Sequence, residues 1–128
     1  YAKTINIEAL TMIDMAGKDI IPAVASYAGD LANTVIAIKE AGATAAAQVE
    51  MLNEVDGLLA EAKKALNTLK EVEAGAAKIS DAKELAFYYK DTVKAAMDAL
   101  RAPVDKLEMI VDGAIWPIPT YGELMFEV

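Results

Sequence analysis

The side chains able to do chemistry in this sequence are carboxylates. Asp and Glu number 20, Lys and Arg 12, His and Cys none, for a formal net charge of −8 over 128 residues. Two carboxylates can act as general acid and base. Most of these acids, however, fall on the outward positions of helical patterns, as Glu50, Glu54, Asp56 and Glu61 do, and read as a solvated coat. Without His or Cys there is no serine triad, no cysteine nucleophile, and no zinc, haem or iron–sulfur ligation. Carboxylate-bridged metal bundles need inward Glu-x-x-His pairs, and no such pair exists. No stretch matches a calcium loop, and neither glycine-rich phosphate motif occurs. Arg101 is the only Arg, so a multi-Arg anion clamp is ruled out. The reading is a chain with no catalytic, cofactor-binding or metal-binding residue of its own. Its acidity argues against nucleic acid and anionic membrane as partners.

The elements that would carry these residues are helices. Hydrophobic residues make up 55% of the chain but aromatics only 6%; most of the surplus is Ala, the strongest helix former. Three segments carry helical periodicity, at about 5–40, 44–74 and 81–112. In the first, Ile13, Ala16, Ile20, Val24, Tyr27, Leu31, Val35 and Ile38 draw one stripe. Thr4 or Asn6 can cap its start, Asp14 and Lys18 form an i,i+4 pair, and Ala41-Gly42 gives the stop. In the second, Leu52, Val55, Leu59, Ala62, Leu66, Leu69 and Val72 repeat in a near-heptad, and Gly57 reads as a tolerated surface residue. The link at 74–80 is looser and can extend that helix. In the third, Asp81 and Glu84 resemble a capping box ahead of Ala82, Ala86, Tyr89, Val93, Ala96, Leu100, Val104, Leu107 and Val111. Of Tyr88 and Tyr89, one ring should face inward and the other outward. Met12, Met15, Met51, Met97 and Met109 read as packing residues.

Helices of about 45–55 Å at 1.5 Å per residue, joined by short links, favour antiparallel neighbours. The expected fold class is all-α: one helical domain over 1–128, an elongated antiparallel bundle of three long helices. Pro22 and Pro103 predict a kink near each, with two separate helices as the alternative. Residues 115–128 differ in kind. Pro117 and Pro119 force extended or turn geometry, while Trp116, Tyr121 and Phe126 make the segment too apolar for a solvated tail. It should dock through Trp116, Pro117, Pro119, Tyr121 and Phe126, on its own bundle or on a surface outside it.

The absence of Cys fits a reducing cytosol. No signal-peptide pattern opens the chain. The apolar stretches are cut by Asp14, Lys18, Asp19, Asp30 and Lys39, short of the roughly 20 residues that span a bilayer. A start at Tyr rather than Met reads as a piece of a longer chain, with a processed start as the alternative.

Several blocks also resemble a known family. Lys3-Thr4-Ile5-Asn6-Ile7-Glu8-Ala9-Leu10 and Met15-Ala16-Gly17-Lys18-Asp19-Ile20-Ile21-Pro22-Ala23-Val24 are similar to the segment that follows the catalytic barrel in type III glutamine synthetases. Tyr88-Tyr89-Lys90-Asp91 with Ala95-Ala96-Met97-Asp98-Ala99-Leu100-Arg101 resembles the next block. Trp116-Pro117-Ile118-Pro119-Thr120-Tyr121-Gly122-Glu123-Leu124-Met125-Phe126 resembles the family's C-terminal signature most closely. The middle, about 44–77, is generic bundle sequence. The resemblance implies a parent that joins ammonia to glutamate with ATP and Mg or Mn, in a large cytoplasmic homo-oligomer. Its ligands lie in a preceding catalytic region, so no catalytic residue carries over. What it implies here is a non-catalytic C-terminal helical domain with a structural, subunit-packing or regulatory role. Its partners would be its own catalytic region and neighbouring subunits. The competing readings are a free-standing helical-bundle adaptor for protein partners and a metabolite-sensing module between the helices, lined by Tyr27, Tyr89 and acids.

Overall fold

A computed structural model of the chain describes residues 2–111. Among these the structure is helical throughout its regular elements, with no strand. Helix α1, Ala2–Met15, passes through a π turn at Ala16–Ile20 into α2, Ile21–Glu40. Helix α3, Ala46–Gly75, ends in a 3₁₀ turn at Ala76–Lys78. Helix α4, Ala82–Tyr88, passes through a second π turn at Tyr89–Val93 into α5, Lys94–Ile110. The result is three long helical segments, as the periodicity predicts.

Their directions follow from side-chain contacts. Tyr88 meets Val72, and Ile110 lies with Val55 and Met51, so the third segment runs antiparallel to α3. Asn6 meets Tyr89, and Tyr27 lies beside Val55 and Ile110. The first segment therefore runs parallel to the third and antiparallel to α3.

The core is one cluster. Helix α3 contributes Val55, Ala62, Leu66 and Leu69; α1 contributes Ile5, Ala9 and Met12; α5 contributes Met97, Leu100, Val104 and Leu107. Each fully buried Leu stabilises the fold by about 1.5–3 kcal/mol. Ala9 and Ala62 are completely buried, and such small side chains let neighbouring backbones approach closely. Met12, Met15 and Met97 are packing residues as expected, but Met51 and Met109 are not: they are 44% and 86% exposed.

Local chemistry sets the ends. Gly42 adopts φ 94° and ends α2 in a Schellman turn: its N–H donates to the Lys39 carbonyl at 3.0 Å and the Ala43 N–H to Ile38 at 3.1 Å. The Asp81 carboxylate accepts from the Glu84 N–H at 2.9 Å, the cap its sequence predicts. Helix α3 starts at Ala46 rather than Thr44, after Ala45 in the left-handed region at φ 54° and with no side-chain cap. The first helix already includes Ala2, so Asn6 sits inside it and is not its cap. The Asp14–Lys18 pair forms at 2.9 Å on the surface.

Helical structure continues past both prolines. At Pro22 the preceding π turn hydrogen-bonds the Ile21 N–H to the Ala16 carbonyl. That widening falls where the proline ring meets the carbonyl of Lys18, four residues back. Pro103 sits inside α5 and is buried.

One feature departs from the charge pattern. The first segment is a helix of 39 residues, Ala2–Glu40, long and apolar enough by length and composition to cross a membrane, with a mean hydropathy of 1.3 over its richest window. Between Asp19 and Lys39 its only charge is Asp30. Only 17% of that window is buried; in α2 the buried residues are Val24 and Val35.

A Cβ at Gly57 meets nothing within 4 Å. Gly57→Ala should therefore stabilise the chain by about 0.5–1 kcal/mol through helix propensity, read from denaturant midpoints at unchanged m. Asp81→Ala should cost about 1 kcal/mol through the lost cap.

Candidate functional site

Two features stand out from the packed helices: a polar junction where all three segments meet, and apolar faces left uncovered.

The junction is built by the second π turn. It brings Tyr89 inward, 7% exposed, where its hydroxyl donates to Asn6 Oδ1 of α1 at 3.1 Å. Tyr88 also turns inward, against the expectation that one ring would face out. Its hydroxyl donates to the Val72 carbonyl of α3 at 2.6 Å. The two rings meet edge to face with centroids 6.4 Å apart, a favoured aromatic geometry. Phe87, 55% exposed, is the ring that faces outward. Gly75 makes room for Tyr88: a Cβ there would lie 2.7 Å from the Tyr88 hydroxyl oxygen.

Glu73 completes the junction. Its Oε2 is buried without a hydrogen-bond partner. Burial holds its carboxyl above the usual carboxylate range, while the Tyr89 hydroxyl pulls the other way. Burial and the Glu73 charge together push Tyr89 up. Tyr89 has one hydroxyl proton to give, so it serves either Asn6 or the Glu73 carboxylate. A protonated Glu73 removes the conflict, because it can donate to Tyr89 while Tyr89 donates to Asn6. This ties three helices together. Among the described residues no group of three or more His, Cys, Asp or Glu side chains is placed to hold a metal ion. Tyr27 and Tyr89 do not share a cavity: Tyr89 lies in the junction with Asn6, and Tyr27 beside Met51 and Ile110.

The uncovered faces are larger. On α1, Ile7 and Leu10 are 62% and 50% exposed. They border an open depression of about 540 Å³ with Thr11, Ile13, Asp14 and Met15. On α2, Ile36 is 57% exposed. A smaller, more enclosed groove of about 240 Å³ lies where α5 ends, lined by Tyr27, Met51, Glu54, Val55 and Ile110. The proposed docking residues Trp116, Pro117, Pro119, Tyr121 and Phe126 lie outside the described residues. The faces that could receive a partner were missed in the sequence; the signal was the run of apolar α2 residues with little charge between Asp19 and Lys39.

Because Glu73 binds its proton more tightly in the folded chain than in the unfolded one, its contribution to stability is greatest in acid. That contribution falls as pH rises from near its ordinary value of 4.5 through the raised folded value. Glu73→Gln should raise the melting temperature at pH 7 and flatten this part of the pH–stability curve. An unchanged curve would place Glu73 in solvent.

Known proteins resemble this sequence. Residues 1–39 match the family model described as the glutamine synthetase C-terminal domain. A glutamine synthetase of Butyrivibrio fibrisolvens is 36% identical over 130 aligned positions, covering 100% of this chain and 19% of that protein. One from Bacteroides fragilis is 30% identical, covering 98% of this chain and 18% of its own length. The chain thus spans about a fifth of the length of the curated relatives it matches. Together these matches support a glutamine synthetase C-terminal domain.

Proposed function

We propose that the chain is the non-catalytic C-terminal helical domain of a type III glutamine synthetase, and that it packs subunits together or against the catalytic region. The observation that carries this reading is the alignment of the whole chain to about a fifth of two longer synthetases. The parent's reaction, ATP-dependent ligation of ammonia to glutamate with Mg or Mn, belongs in this reading to the other four-fifths. The parent is a cytoplasmic homo-oligomer, and this domain's partners are its own catalytic region and neighbouring subunits rather than nucleic acid or membrane. The uncovered apolar faces at Ile7, Leu10 and Ile36 support a role in packing. Scattered exposed apolar residues are ordinary on a monomer, but grouped ones mark contact surfaces. The polar junction supports a structural role too, since its hydroxyls are spent on holding helices together.

The purified chain should show no glutamate- and ammonia-dependent ATP turnover. A parent truncated before Ile5 should lose assembly, measured by light scattering, or melt at lower temperature. Turnover by the isolated chain would contradict the absence of an active site. Unchanged assembly, melting and activity after truncation would contradict the packing role.

A further inference from the structure

The third helical segment stops before its neighbours do. It ends at Ile110, beside Tyr27 and Met51. Beyond that level, α2 runs on to Glu40 and α3 begins at Ala46, so among the described residues the tip of the bundle has two helices where the rest has three. Its apolar side chains show the missing layer. Leu31 and Ile38 of α2, with Val49 and Leu52 of α3, are half-buried and only Val35 and Ala45 there are buried, whereas counterparts lower in the same segments, Ile20, Val24, Leu66 and Leu69, are fully buried.

We propose that residues 112–128 of this same chain are that neighbour, seated along the α2–α3 tip with the Tyr27–Met51–Ile110 groove as the entry to the seat. The inference rests on reading 115–128 as a docking segment and names where it docks.

Three observations favour this occupant. The first is continuity, because the segment leaves Ile110 at the mouth of the groove, and Val111 before it is already buried. The second is reach. From Tyr27 to Glu40 the helix rises about 20 Å. Seventeen residues span about 56 Å if extended and about 25 Å if helical, so either form covers the tip. The third is composition. Ile115, Trp116, Ile118, Leu124, Met125, Phe126 and Val128 are apolar, and the charges are Asp112, Glu123 and Glu127. Pro117 and Pro119 suit a packed strip that needs no ladder of backbone hydrogen bonds. A tethered segment also docks at high effective concentration, so it competes well against separate molecules.

The sequence allows a clean test. It has no Cys and one Trp, Trp116, so a nitroxide on one introduced thiol reports its distance from Trp116 by quenching. A label at Ala47→Cys, in the first turn of α3 at the tip, should quench Trp116 emission several-fold at every protein concentration. A label at Lys83→Cys, at the opposite end, should leave it unchanged. Met51→Glu, with helicity checked by circular dichroism, should abolish the quenching and shift Trp116 emission toward the water-exposed wavelength. Emission already at that wavelength in the unsubstituted chain, unaffected by either label, would overturn the proposal. So would quenching seen only on mixing labelled Trp116→Phe chains with unlabelled ones, which gives the seat to a second copy. A blue shift that appears only with phosphatidylcholine vesicles would overturn it as well. None of these results touches the packing role in the parent, which stands or falls on the truncation.

Discussion

Both outer segments depend on one surface, the inward row of α3. Val55, Ala62, Leu66 and Leu69 lie in the core cluster with Ile5, Ala9 and Met12 on one side and Met97, Leu100, Val104 and Leu107 on the other. A helix shared in this way must present a wide apolar face with few large obstructions. Ala62, completely buried between Val55 and Leu66, keeps that face shallow. The Ala-rich composition has a cost. Small side chains bury little area each, so the bundle adds polar ties at its end: Tyr88 to the α3 backbone and Tyr89 to Asn6 of α1.

Those ties account for the second π turn better than proline does. Pro103 lies fourteen residues beyond Tyr89 and within regular α-helix. A wider turn instead shifts the register, so that Tyr88 and Tyr89 reach α3 and α1 together while the stripe from Val93 onward stays in the core. A buried carboxyl beside two tyrosines resembles a reaction site in outline. The two tyrosine hydroxyls, however, donate to a backbone carbonyl and an amide oxygen on neighbouring helices, which is what a fastening needs. The protein's surface offers more to bind with: apolar faces on α1 and α2, and a groove where the third segment ends.

Much of this was legible in the residues. The three stripes, the stop at Gly42, the cap at Asp81 and the surface pair Asp14–Lys18 follow from periodicity and local hydrogen-bonding rules that act within a few residues. What was hidden depends on tertiary register. Asn6 looks like a cap because its type favours caps, yet its partner is 83 residues away. Tyr88 looks outward on a regular helix, but the π turn beside it breaks that regularity. Met109 fits an apolar stripe by type and is the most exposed large hydrophobic among the described residues, because α5 turns that side away from its neighbours. The uncovered length of α2 could not be read from its own pattern, since a stripe does not say how many helices cover it.

The central claim is that this chain works through its apolar faces, as packing material in a larger assembly, rather than through a reaction site. Hydrogen exchange compared between the free chain and the chain within the proposed parent synthetase tests it most directly. The account predicts slower exchange in the assembly along α1 around Ile7–Met15, with the α3 core around Leu66 unchanged. Identical exchange of α1 in the two states would contradict it.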